Sequence, residues 1–356
     1  HEDEHGEVIA EAKGPRFAKY LGLHYPASDI PRQAREMFLM NWVRMIPQRD
    51  YQPVPLIGDA ASATPLDLGR SFLRSVSPVH IEYLRNMGVH ASLTLSLIEG
   101  GRLWGLIAGH HYDAPKHVPF ETRAACETLA RLLSSQLTHK ADLEVSGQRQ
   151  RAKRVHRELV ARMKGREHPA EALIGGEANV LDLLECGGAA LAAPGGGWLT
   201  VGTTPSPEEI DGLAQWLVRA HRDRDMFRTE SLAAEYTQAL AFKSSASGVL
   251  ALKIPKNEGN YVFWFKPEVV RTIAWAGNPD KAVSVDQDGG RLRPRASFEA
   301  WKEAMHLRSR PWAEWEIEAA AALTHEILAA DLQRQFKREM QARAAAEWAN
   351  EQKEQL

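Results

Sequence analysis

Apolar and polar positions change period several times along the chain, and each change predicts an element. A strand-like stretch at Val8–Ala10 comes first. The next apolar-periodic run predicts a helix over Pro31–Ile46, with Ser28 or Asp29 as its cap, Pro31 in its first turn and Pro47 as its stop. After a Pro- and Gly-rich loop, SPVHIEYLRNMG reads as a short helix capped by Ser77, opened by Pro78 and closed by Gly88. On it His80, Tyr83 and Met87 stand at helical spacing and share one face. Ala91–Ile98 then alternates, with Leu93, Leu95 and Leu97 on one side and Ser92, Thr94 and Ser96 on the other. Glu99, Gly100 and Gly101 supply a turn, and Arg102–His111 returns as the second strand of an antiparallel hairpin. His110 and His111 therefore face opposite ways.

From Glu121 to Arg166 the chain is almost free of helix breakers, which predicts one long connecting helix. Residues 170–250 carry short helical and strand signals broken by Gly187, Gly188 and Gly195–Gly197, which suits a second α+β domain. Val262–Phe265 and Thr272–Trp275 are strand-like, with loops at Gly277–Pro279 and at Gly289 and Gly290. From Glu314 onward the pattern is helical again. Leu328, Leu332, Phe336 and Met340 form an apolar stripe there, of the kind that meets a partner helix.

With 356 residues, 44 Lys plus Arg and 46 Asp plus Glu, the chain is long enough for two domains and carries a formal charge of −2. That excludes a mini-domain and a generically basic nucleic-acid binder. QRQRAKRVHRELVARMKGR is a basic run, but on a long helix such a run is a solvated face. No apolar stretch approaches the roughly 18 residues of a spanning helix, and the N-terminus lacks a secretory layout, so no membrane contact and a cytosolic location are expected. Because the chain opens on His1 without a Met and turns strand-like at once, it is expected to enter a domain partway. Cys126 and Cys186 are too few for a disulfide framework and read as buried thiols.

Fourteen histidines invite a metal reading, with His1 and His5, or His110 and His111, as candidates. Neither pair has ligand spacing, and adjacent histidines on a strand point apart. No nucleophile elbow, Walker loop or dinucleotide fingerprint is present, so no catalytic residue is predicted. What converges is a set suited to a large conjugated ligand with carboxylates. Arg44 and Arg74 are its cations, Tyr25, Phe38 and Tyr83 its flat walls, and His80 and His110 its polar contacts. Each has a bland alternative: core packing for Tyr83 and Met87, a satisfied core histidine for His80, a helix-end charge for Arg44.

LGLHYPASDIPRQAR, LRSVSPVHIEYLRNMGVHASLTLSL, LWGLIAGHH, WAGNP and RLRPRASFEAW, in this order, resemble the bilin-binding GAF domain and the PHY domain of bacterial phytochromes. The resemblance covers essentially the whole chain. It implies an α+β fold: a GAF-type antiparallel sheet with flanking helices over 1–120, a spine helix over 121–166, a GAF-like PHY domain over 167–313 with a tongue arm at about 255–300, and an output helix over 314–356. It also implies a linear tetrapyrrole, whose ring nitrogens meet the main chain at Asp29, in the Asp29–Ile30–Pro31 stretch, and His80. Arg44 and Arg74 would hold its propionates, with Ser77, Ser92 and Thr94 as hydroxyl helpers. Tyr25, Phe38, Tyr83 and Met87 would surround ring D, and His110 would donate to its carbonyl. Asp29 is expected to pair with Arg295 on the arm and to exchange that partner for Tyr83 or Ser297, while the segment from Trp275 through Pro294 to Phe298 refolds.

Departures from the family pattern carry information. Val79 stands where plant and cyanobacterial members attach a reduced bilin through cysteine, so biliverdin is expected; the bacterial attachment cysteine would lie before His1. Phe38 replaces a usual tyrosine, and Leu23 replaces a glutamine typical of far-red-resting members, which points to a red-absorbing dark state. The expected function is a dimeric red/far-red photoreceptor. The stub AEWANEQKEQL resembles the approach to a sensor histidine kinase, whose partner would be a response regulator. The alternatives are a GAF module for a cyclic nucleotide, with Arg44 and Arg74 on phosphate, and an enzyme acting through His110 or Asp29, which lacks an activated pair.

Overall fold

The computed structural model describes residues 4–57, 66–72, 74–164, 166, 168–193, 195–254, 260–279, 283–285, 292–294 and 300–354. In chain order the elements begin with β1 (Gly6–Glu7), β2 (Leu23–Tyr25), α1 (Arg32–Met40), β3 (Val43–Ile46), α2 (Pro78–Asn86), β4 (Ala91–Glu99), β5 (Arg102–His111) and α3 (Phe120–Met163). They continue with α4 (Pro169–Ile174), β6 (Gly188–Ala192), β7 (Trp198–Gly202), α5 (Pro207–Ala220), β8 (Met226–Thr229), α6 (Leu232–Glu235), α7 (Lys243–Ala246), β9 (Gly248–Lys253) and β10 (Tyr261–Lys266). Last come β11 (Arg271–Ala276), β12 (Val283–Val285), β13 (Leu292–Pro294), β14 (Ala300–Met305) and α8 (Glu314–Glu354). The chain divides into two compact units, His1–Asp142 with Thr272–Ala304, and Leu143–Arg271 with Met305–Leu356.

In the first unit β3, β4 and β5 form an antiparallel sheet with two unlike faces. Leu95, Leu97 and Val43 pack with Leu93 against Ala130, Cys126 and Leu137 of α3, an apolar contact whose burial drives the layer together. The opposite face carries Ser92, Thr94 and Ser96. It too is covered near Ser96, whose Oγ donates to the Phe38 carbonyl at 2.8 Å and so ties α1 to the sheet.

The helix expected over Pro31–Ile46 is two elements. It stops at Met40, where the Asn41 side chain donates to the Met37 and Gly69 carbonyls, both at 3.2 Å. Val43–Ile46 then pairs as a strand with β4, because that buries Val43, Met45 and Ile46. Pro31, not Ser28 or Asp29, is the N-cap of α1. Ser77 is the N-cap residue of α2, but its side chain makes no capping bond. The first strand forms at Gly6–Glu7, just before Val8–Ala10. Both cysteines are half-buried, although burial still pushes the Cys186 thiol up to about 12.

The second unit is built on an antiparallel sheet in the order β7-β6-β10-β9-β8. One face, through Leu191, Leu250, Val262 and Trp264, packs on Val155 and Leu159 of α3 and on Trp315, Ala320 and Leu323 of α8. The other, through Tyr261, Phe263 and Phe265, packs on Ile210, Leu213 and Leu217 of α5 and on Phe227, Tyr236 and Phe242. That second face is filled by stacked aromatic side chains, with Phe263 and Phe265 rings 5.7 Å apart. Only the first unit keeps a polar sheet face.

Close backbone approach at the start of β6 sets a sharp test of this packing. A Cβ at Gly188 would lie 2.1 Å from the Thr203 carbonyl oxygen, which is backbone and cannot rotate away. Gly188→Ala should destabilise the second unit by about 1–3 kcal/mol, lowering its thermal midpoint by several degrees. Gly195→Ala, at a position with nothing within 4 Å, should leave the midpoint unchanged.

Candidate functional site

Strand register decides which side chains meet on the polar face of the first unit. Arg44 stands opposite Thr94, and Ser92 stands opposite His110, so all four lie on the side facing α1. Ser92 is buried, whereas Arg44, Thr94 and His110 are half-buried. Arg74 joins them from the segment before α2. Its backbone neighbourhood is held by the Val76 N–H, which donates to Tyr51 Oη at 2.7 Å.

The two guanidinium groups are close enough to act on each other. Burial first, and the Arg74 charge second, bring the Arg44 pKa down to about 10. Among the described residues Arg44 Nη1 reaches the Ser71 carbonyl, at 3.4 Å, and the buried Arg74 Nε has no hydrogen-bond partner. A buried donor left unpaired costs about 1–3 kcal/mol. Two cations sharing a partly dry site form a site that an anion stabilises, and guanidinium geometry favours carboxylates or phosphates.

Helix α2 supplies the second wall. The His80 and Tyr83 rings lie parallel with centroids 6.1 Å apart. His80 is exposed, yet desolvation of its ring, with His110 and Arg44 adding repulsion, holds its pKa below the ordinary value. Burial does the same for His110. Both shifts favour the neutral imidazole, a form able to donate from one nitrogen and accept at the other. Met87 sits beyond the end of the helix and packs on the cluster of Ile46, Leu84 and Val89.

The Asp29 turn closes the third side. Ala27–Asp29 forms a single 3-10 turn, and Tyr83 Oη donates to Asp29 Oδ2 at 2.9 Å. Arg35, which sequence reasoning missed, fixes that turn by donating from Nε to the Ile30 carbonyl at 2.7 Å and from Nη2 to the Ala27 carbonyl at 3.2 Å. Its only sequence signal is an Arg one helical turn after Pro31. Tyr25, Ile30 and Phe38 are half-buried, while Pro31 and Ser77 are exposed.

An arm of the chain joins the same unit. β11 pairs in parallel with β2, placing Trp275 opposite His24 in a sheet ordered β1-β2-β11-β14. Trp275 is buried, contacts the His5 and His24 rings, and donates from Nε1 to Glu303 Oε2 at 2.8 Å, tying β11 to β14. β13, which ends in half-buried Pro294, lies against α2. The His24 and Glu303 contacts were not foreseen, because they depend on strands distant in sequence. Arg295 and Ser297 lie outside the described residues. Among the described residues no cluster of His, Cys, Asp or Glu suits a metal ion, and no helix is long and apolar enough to cross a membrane.

Two family models match the chain, a GAF domain over residues 16–139 and the phytochrome region, PHY, over residues 152–335. Cyanobacterial phytochrome B of Nostoc sp. is 45% identical over 332 residues, covering 92% of this chain and 44% of that protein. Cyanobacterial phytochrome A of the same organism is 42% identical, with 92% and 43% covered. The chain therefore spans less than half the length of these curated relatives. Among solved structures, the phytochrome photosensory core module of Stigmatella aurantiaca matches with a TM-score of 0.72 and 45% identity, over 92% of this chain and 65% of that one. A bacteriophytochrome from the photosynthetic bacterium R. palustris matches with a TM-score of 0.76 and 37% identity, over 94% and 67%. With its PHY match covering more than half the residues and both domains in family order, the chain belongs to the phytochromes.

Proposed function

We propose that this chain is the light-sensing core of a red/far-red photoreceptor that holds biliverdin in its first unit. The observation that carries the proposal is the Arg44 and Arg74 pair, with a buried Nε unpartnered among the described residues, and with Arg44 on the same polar sheet face as His110. A linear tetrapyrrole has two propionates for those cations and a row of ring nitrogens for the Asp29 main chain and His80. Val79, directly before His80, offers no thiol, which favours biliverdin over the reduced bilins. When bound, the bilin supplies the photochemistry, a Z/E isomerisation at ring D. Tyr25, Phe38, Tyr83 and Met87 would shape the space for that ring, and neutral His110 would donate to its carbonyl. Ser77, Ser92 and Thr94 would assist the arginines. Leu23, near the turn, favours a red-absorbing resting state.

The chain's own residues also suggest how light would be read out. Asp29 accepts from Tyr83, while the arm reaches the same unit through Trp275 and β13. Exchange of the Asp29 partner from the arm's Arg295 to Tyr83 or Ser297 would favour one arm conformation over the other. We assign residues 1–120 to the chromophore domain, 121–166 to the connecting helix, 167–313 to the PHY domain and 314–356 to the output helix. Leu129, Leu132 and Leu133 on α3, and Leu332, Phe336 and Met340 on α8, are exposed apolar side chains at helical spacing. They suit pairing with a second copy, ahead of a histidine kinase that would act on a response regulator. A cyclic-nucleotide GAF module would also use two arginines, but it requires neither the arm nor its pairing with β2.

Adding biliverdin to the protein extended through its upstream region should produce a red or far-red absorption band that red light converts; a flat visible spectrum would refute the proposal. Arg74→Ala removes a charge-assisted contact of about 1.5–3 kcal/mol, so biliverdin affinity should fall at least tenfold. Unchanged affinity would place Arg74 outside the binding contacts. In sedimentation at micromolar concentration the same protein should be a dimer that Phe336→Glu weakens, whereas a monomeric parent would contradict the helical pairing.

A further inference from the structure

The chain leaving β14 reaches α8 through residues 306–313, and nearly every one of them is anchored to the second unit. Glu268, in the loop after β10, accepts the Leu307 N–H at 2.7 Å and is held in turn by Lys243 at 3.1 Å. Leu307 has φ +64°, a left-handed conformation that a leucine keeps only where its surroundings enforce it. The Arg308 carbonyl accepts the Val269 N–H at 2.8 Å, and the Ser309 N–H donates to the Glu230 carbonyl at 2.9 Å. Gly248 of β9 leaves the space that Ser309 occupies, since a Cβ there would lie 2.0 Å from its Oγ. Trp312 Nε1 donates to the Thr229 carbonyl at the end of β8, at 3.2 Å.

The last anchor is a buried ion pair. Lys266 Nζ of β10 donates to Glu316 Oε2 and to the Pro311 carbonyl, each at 2.8 Å, and stands 4.1 Å above the Trp312 ring. The two side chains are 6% and 2% exposed. Glu316 also accepts the Ala313 N–H at 2.8 Å and the Glu185 N–H at 3.1 Å, so one carboxylate caps α8, joins it to β10 and joins both to the turn before β6. A buried pair satisfied on this many sides is difficult to break one partner at a time.

We propose that residues 306–316 are a fixed clamp between the arm and α8, with Lys266 and Glu316 as its coupling pair. The inference rests on the light-sensing reading only in taking the arm as the element that moves. A chain free to slide would pass an arm movement directly along residues 306–313 to the helix. Held at seven points on β8, β9, β10 and their loops, it cannot slide. Movement then reaches α8 only when the five-stranded sheet moves as a body, and the start of α8 follows because Glu316 holds it to β10.

The test is amide hydrogen exchange on the protein extended through its upstream and output regions and loaded with biliverdin, in darkness and under red light. In the parent, the amides of Leu307, Ser309 and Ala313 should change by less than about twofold on illumination while arm residues 272–279 and 300–304 change at least tenfold. Tenfold loss of protection at the three clamp amides would show a sliding chain and overturn the proposal. Glu316→Gln, which keeps shape and acceptor but removes the charge, should raise dark exchange at Ala313 at least tenfold. It should leave the absorption spectrum and photoconversion as in the parent, and abolish the light-driven change in distance between spin labels on the two α8 helices. Parent-like exchange and a parent-like distance change in that variant would overturn the proposal. Trp312→Phe, a milder change that loses the bond to Thr229 and part of the ring packed beneath Lys266, should raise exchange at Ser309 and Ala313 about threefold. A parent that fails to photoconvert would refute the light-sensing reading alone, because the dark comparison between parent and variants still decides whether the clamp exists.

Discussion

Two guanidinium groups held near each other on one face of a three-stranded sheet set the terms for the first unit. Arg44 is carried by β3, where register with Thr94 fixes its direction, and Arg74 is carried by a segment that Tyr51 holds in place. Left to themselves these cations repel, and one donor has no partner among the described residues. Folding tolerates that arrangement because the opposite sheet face buries Leu95, Leu97 and Val43 against α3 and supplies the stability. The site is therefore a local departure from satisfied packing, supported by a core that lies on the other side of the same strands.

The second unit resolves the same layered problem in the opposite way. Its sheet is apolar on both faces, and Phe263, Phe265 and Tyr261 occupy the side that the first unit leaves polar. The first unit thus keeps a polar face, while the second packs an apolar face on α3 and α8. Rigidity is the property that the proposed transfer of a displacement to a helix would require. The Glu316 carboxylate, with bonds to three separate segments, makes that helix continuous with the sheet.

Much of this was legible in the sequence where period and motif coincide. The β4–β5 hairpin follows from strict alternation around Glu99–Gly101, and α2 from Pro78 and the spacing of His80 and Tyr83. The two long helices follow from the absence of breakers. The helix predicted over Pro31–Ile46 failed after Met40 because Asn41 finds two carbonyl acceptors and the next four residues gain more burial as a strand than as a helical turn. Local pattern cannot weigh that tertiary gain. Arg35, Trp275 with Glu303, and Lys266 with Glu316 were illegible for a related reason. Each owes its role to a partner, or to a turn geometry, that only the folded chain brings within reach.

The central claim is that the Arg44 and Arg74 pair receives the carboxylates of the ligand. Equilibrium titration with biliverdin and with its dimethyl ester, in which both propionates are neutral, addresses it directly. The free acid should bind at least tenfold more tightly, and raising the salt concentration should narrow the difference only slightly because the site is partly buried. Equal affinity for acid and ester would contradict the account.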